Sequence, residues 1–219
     1  MPVLSDIRLT LLSAFKALPL LLISFIGFLA IGLGNMGLFM LFIGHATIVP
    51  LLTTAANSVL GGTTSTVVAN DVSQLVPLAS SSYNSATVSV MPSYWMAHMS
   101  FFLGYLLTNA VSVYTLPVNS KVSKWLTDSR KTRAATIIVT TLGIWLGLAA
   151  LRYGITGGAE TRYGILTAVV LLGGAGAAWY AVAAACGARN SDIFSIVQQS
   201  VTPAKNDTPT TCVYKPKPN

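Results

Sequence analysis

Three groups of residues in this 219-residue chain have types and spacings that could carry chemistry. The first is Gly32-Leu33-Gly34-Asn35-Met36-Gly37, which fits the G-x-G-x-x-G pattern that cradles a dinucleotide. That pattern works when a strand delivers the glycines to a helix N-terminus and an acid about 20 residues on holds the ribose. Here the glycines lie inside the uncharged run from Ala17 to Gly44, and the next acid is Asp71. The glycines therefore read as close helix packing, or as a break between two helical pieces. The second group is His45 and His98, the only histidines, with Met96 and Met99 beside His98. A soft metal accepts imidazole and thioether ligands. No cysteine or carboxylate accompanies these residues, so polar contacts in a helical interior are expected, with no metal and no cofactor. Asn109 reads the same way, as a helix–helix hydrogen-bonding residue. The third group is the plentiful Ser and Thr. No Ser/His or paired-Asp arrangement falls at a spacing that would bring a base to a nucleophile, so catalysis is not expected.

The elements that position these residues follow from composition. The chain is 53% hydrophobic and 9% charged, with a mean hydropathy of +0.67. A soluble domain carries about 25% charge, so thirteen basic and six acidic residues cannot clothe a soluble globule of this size. Disorder needs the opposite composition, and two cysteines, Cys186 and Cys212, do not make a disulfide scaffold. The fold class expected is all-α, a multi-pass transmembrane bundle with four clear spans and room for a fifth. The net charge of +7 sits in clusters between apolar stretches, where it sets topology. No soluble region could display a nucleic-acid groove, so no nucleic acid is expected as a partner.

Along the chain, residues 1–16 place Leu4, Ile7, Leu11, Leu12 and Phe15 at helical spacing among Asp6, Arg8 and Lys16, which predicts an interfacial amphipathic lead-in. Residues 17–60 form either one long uncleaved span followed by a re-entrant or interfacial segment, or a hairpin of two spans joined at Gly34-Asn35. Residues 61–93 are a polar Ser/Thr-rich loop. Residues 94–187 hold three spans, near 94–116, 134–151 and 165–186. Residues 188–219 are a basic tail whose prolines favour an extended form.

Aromatic and cationic residues at span ends predict interface anchors: Tyr94, Trp95, Arg152, Tyr153, Arg162 and Tyr163. The last four belong to a short repeat, Arg152-Tyr153-Gly154-Ile155 and Arg162-Tyr163-Gly164-Ile165. Lys121, Lys124, Arg130, Lys131 and Arg133 are the topology-setting cluster. With four spans and both ends inside, eleven of the thirteen basic residues fall on the cytoplasmic side. With five spans and the N-terminus outside, nine do, so the charge rule prefers four spans. Both versions put 117–133 and the tail on one side and 61–93 on the other. Gly143 and Gly147 form a G-x-x-x-G, and Gly173, Gly174 and Gly176 add small residues to the last span. These five are the expected helix-packing positions, against one another or a partner chain in a homo- or hetero-oligomer. Cys186 sits beside the last span, where S-acylation competes with a plain buried thiol. The sequon at Asn206 precedes Pro209 on the unglycosylated side.

The stretch Met91-Pro92-Ser93-Tyr94-Trp95-Met96-Ala97-His98, followed by Phe101-Phe102-Leu103-Gly104-Tyr105 and Asn109, resembles small multi-pass membrane proteins of large double-stranded DNA viruses of algae and protists. The basic Ser129-Arg130-Lys131-Thr132-Arg133 ahead of a span and the Arg152-Tyr153 closing it extend the resemblance over roughly residues 91–165. The resemblance implies a structural virion protein in the inner membrane beneath a capsid. Its partners would be the lipid bilayer and other capsid or membrane proteins, bound through 61–93 and 188–219. The competing expectations are a channel for a small neutral solute and an accessory subunit of a membrane complex.

Overall fold

The computed structural model describes residues 2–60, 92–116, 124–155, 162–187 and 193. The described residues form an all-α bundle without strands: α1 (Pro2–Leu33), α2 (Met36–Leu60), α3 (Tyr94–Thr115), α4 (Lys124–Ile155), α5 (Arg162–Thr167) and α6 (Gly173–Ala185). A π-helical turn, Ala168–Leu172, fuses α5 and α6 into one rod. Four segments are long and apolar enough to cross a membrane: Met36–Leu60, Tyr94–Thr115, Thr127–Gly154 and Arg162–Ala185. Apolar side chains point outward as freely as inward. Phe28, Ile31, Val139 and Leu146 are all largely exposed, a surface that water would penalise and lipid tails accept. The chain is a multi-pass helical membrane protein.

The structure divides the first apolar run. Gly34 takes φ +59°, the left-handed conformation that ends a helix and that glycine adopts without penalty. Asn35 Oδ1 then accepts from Leu38 N at 3.1 Å, capping the first turn of α2. The single span expected near residues 20–43 is therefore two helices folded back on each other, and α2 carries on without interruption through the segment 45–60. This is the hairpin alternative. The apolar part of α1, Ala17–Leu33, is about 25 Å long at 1.5 Å per residue, at the short end of what a span needs.

Helix directions follow from the contacts. Thr54 and Tyr94 hydroxyls lie 3.1 Å apart, so the end of α2 meets the start of α3. Phe15 also meets the start of α3, with its ring 4.7 Å from that of Trp95. Trp145 reaches Ser100 and Arg130 reaches Leu116, so α4 runs antiparallel to α3. Gly173 faces Gly104 and Tyr180 stacks edge-on against Tyr105, so the α5–α6 rod runs parallel to α3. The base of α1 thus lies at the Tyr94 end of the bundle and the end of α6 at the Thr115 end. The four-span reading put both at the same end. The count of four candidate spans stands, but the first of them is Met36–Leu60, because Gly34-Asn35 adds a reversal that an uncharged sequence does not advertise.

The centre of the bundle is α3. It is the most deeply buried of the four long segments and the least apolar of them, with His98, Ser100, Tyr105 and Asn109 all buried. In lipid, polar side chains are costly facing tails and cheap facing other helices, which places this helix inside. Its ends are closed by side chains. Ser93 Oγ accepts from Met96 N at 3.2 Å, and Arg130 Nη2 donates to the Leu116 carbonyl at 2.7 Å.

Candidate functional site

Three indoles tie the helices together, and each uses a carbonyl or hydroxyl that the local sequence makes available. Pro19 has no N–H to give the Phe15 carbonyl four residues back, and Trp95 Nε1 donates to that carbonyl at 2.9 Å. Gly44 has no side chain to shield the Met40 carbonyl, and Trp179 Nε1 donates to it at 2.7 Å. A Cβ on Gly44 would sit 2.7 Å from that same indole nitrogen. Trp145 Nε1 donates to Ser100 Oγ at 3.3 Å, its ring passing over Gly173 where a Cβ would lie 2.6 Å away. Burial without a partner would leave each indole N–H unsatisfied.

The seam between α3 and the α5–α6 rod is built from backbone. A Cβ on Gly104 would clash with the Gly173 carbonyl, and one on Gly176 with the Phe101 carbonyl. Two of the five expected packing glycines, Gly173 and Gly176, do pack. The other three do not within this chain: Gly143, Gly147 and Gly174 have nothing within 4 Å of a notional Cβ. The G-x-x-x-G of α4 faces outward because the opposite face of α4, with the buried Ala134 and Thr141, meets α3. Gly104 and Gly44, which the sequence reading did not single out, take the packing role.

The expected interface anchors also divide. Trp95 and Arg152 are buried, only 1% and 3% exposed. They face each other across α3 and α4, with the Arg152 guanidinium 5.1 Å from the Trp95 ring centre. That is a cation–π contact inside the bundle, not a pair of side chains reaching for headgroups. Tyr94 is half-buried. Tyr153, Arg162 and Tyr163 are exposed. Arg162 Nη2 lies 3.5 Å from the Tyr153 hydroxyl, joining the two copies of the repeat. In the basic cluster, Arg130 is buried as the cap on α3, Lys131 is half-buried and Arg133 is exposed. Lys124 opens α4. Cys186 is exposed, against the buried thiol expected. Lys121, residues 61–91, the Asn206 sequon and all of the tail but Ile193 lie outside the described residues.

The two histidines, separated by 53 positions, come together. His45 Nδ1 and His98 Nδ1 are 3.1 Å apart, with near-parallel rings at 19°. One ring must donate from Nδ1 and the other accept, so the pair holds two different tautomers. His45 also meets the edge of Phe101 at 5.1 Å, and its Nε2 has no hydrogen-bond partner. Thr53 lies on the same helix, and its hydroxyl is likewise unpartnered and buried. No group of three or more His, Cys, Asp or Glu side chains that could hold a metal occurs among the described residues. No protein family, characterised protein or solved structure matches this chain.

Proposed function

We propose that this is a structural membrane protein of a virion, an anchor that ties an inner membrane to the capsid above it through residues 61–93 and the tail 188–219. The observation that carries the anchor reading is the filled interior. Trp95, Tyr105, Phe101, Leu41, Met96 and Leu103 are fully buried around α3, and Gly104 and Gly176 bring α6 to backbone contact with it. Large side chains filling the space between the described helices favour an anchor over a path for a solute. The described core also lacks the mid-membrane carboxylate or lysine on which ion-coupled carriers depend. Helices that cannot leave the bilayer let weak loop and tail contacts, repeated over a lattice, hold two surfaces together. The viral setting rests on the resemblance of residues 91–165.

In the arrangement we propose, α1 also crosses. That puts Arg8, Lys16, Arg152 and Arg162 on one side and the remaining nine basic residues on the other, which the positive-inside rule makes cytoplasmic. Co-sedimentation tests the function: the protein is expected in capsid particles stripped of host membrane, in fixed ratio to the shell protein. Recovery only in the membrane fraction would contradict the virion assignment. Proteoliposomes of the full chain should swell in glycerol no faster than empty liposomes. Faster swelling would contradict the anchor and favour a neutral-solute channel.

A further inference from the structure

We propose that His45 and His98 form an acid-responsive latch that holds the α1–α2 hairpin against α3. The two imidazoles are 1% and 2% exposed and touch through their Nδ1 atoms at 3.1 Å. One neutral donor and one neutral acceptor satisfy that contact. Protonating both rings turns it into two cationic N–H groups pointing at each other in a low-dielectric interior, where repulsion is strong and no side chain among the described residues hydrogen-bonds to either ring besides the other.

The surroundings offer no relief. His45 is the only ionisable side chain on α2. On α3 the others are Tyr94, Tyr105 and Tyr114. On the α5–α6 rod they are Arg162, Tyr163 and Tyr180, with Tyr180 occupied against Tyr105. On α4, Arg152 is held over Trp95. The acids on described helices are Asp6, near the start of α1, and Asp128, near the start of α4 beside the Thr115 end of α3. No carboxylate hydrogen-bonds either ring among the described residues.

Other polar contacts of α2 with the bundle include Thr54 with Tyr94, Asn57 with the Pro92 carbonyl and Trp179 with the Met40 carbonyl. None changes charge between pH 5 and 8. The histidine pair is therefore the member of this interface that acid can break, and separating α2 from α3 is the movement that lets water reach the rings. The latch stands on the geometry of this interface whatever particle or membrane the protein serves.

The test uses the full chain in lipid nanodiscs. At pH 7.5, nitrogen NMR of labelled histidine is expected to show one ring protonated at Nδ1 and the other at Nε2. Two Nε2–H rings, or a metal bound between them, would overturn the proposal. Between pH 7.5 and 5.0 the wild-type melting temperature should fall by about 5 °C or more. The double variant His45→Leu/His98→Leu, which removes both partners together and leaves no orphan, should show no such fall. An equal fall in that variant, or none in the wild type, would overturn the proposal. Hydrogen exchange on the wild type alone keeps the test decisive if the variant does not fold. Acid should raise exchange in α2 by about tenfold over its intrinsic change and leave α4 unaffected. A uniform rise across both helices would overturn the latch.

Discussion

Leucine at Gly104 or Gly176 is expected to abolish the folded bundle, whereas leucine at Gly143 or Gly147 leaves it standing. At the first two positions even a single added carbon runs into the backbone of the opposing helix. Backbone cannot rotate away as a side chain can, so α3 and the rod must separate along the seam. Ordinary overpacking costs about 1–3 kcal/mol. Here the cost exceeds that range, because separation also uncovers Phe101, Tyr105 and Leu172, which are fully buried now. Against a total stability of about 5–15 kcal/mol, the expected result is little or no monodisperse protein in detergent. Gly143 and Gly147 have open space before them, so size-exclusion profile and melting temperature should stay at wild-type values. Equal damage at all four positions would mean that the seam is misplaced.

Removing the Trp95 side chain has the next largest effect. Trp95→Ala should cost about 3–5 kcal/mol, the usual range for emptying a fully buried indole site. It also strips two specific contacts at once: the hydrogen bond to the Phe15 carbonyl and the surface on which Arg152 lies. Because Pro19 cannot take over that carbonyl, Phe15 loses its partner and the base of α1 comes away. Limited proteolysis should then cut near Phe15 well before it cuts elsewhere. Trp95→Phe keeps most of the ring and loses only the donor, so a loss of about 1–2 kcal/mol is expected. A Trp95→Ala protein as resistant as wild type would remove the docking of α1 from the account.

Much of this architecture could be read from residue order, and its limits have a physical cause. Scarce charge and long apolar runs gave the membrane, the helical class and the ends of α3 and α6. Gly34-Asn35 was visible as a break, but the charge count favoured reading through it. A helix reversal in lipid needs only a left-handed glycine and a capping side chain, neither of which carries charge. The facing of the glycines was not legible. In a soluble helix the polar stripe marks the outside; a membrane helix is apolar all round, so the G-x-x-x-G of α4 and the lone Gly104 of α3 cannot be told apart by pattern. Trp95 and Arg152 misled for a related reason. Both types are common at headgroup level, and only the antiparallel pairing of α3 with α4 lets each satisfy the other inside. One signal could have been used. The polar residues His98, Ser100, Tyr105 and Asn109 on a span mark it as central, since lipid rejects them. The pairing of His45 with His98 depends on two helices that sequence spacing does not align.

Compartment labelling in sealed vesicles tests most directly the claim that the chain crosses with its hairpin intact. Native Cys186 and Cys212 are first replaced by serine, and single cysteines are placed at Ser5, Ser82, Asn119 and Lys215. A membrane-impermeant maleimide should reach Ser5→Cys and Ser82→Cys from one side, and Asn119→Cys and Lys215→Cys only from the other. If Ser5→Cys instead labels together with Lys215→Cys, α1 does not cross and the arrangement built on the Gly34-Asn35 reversal is wrong.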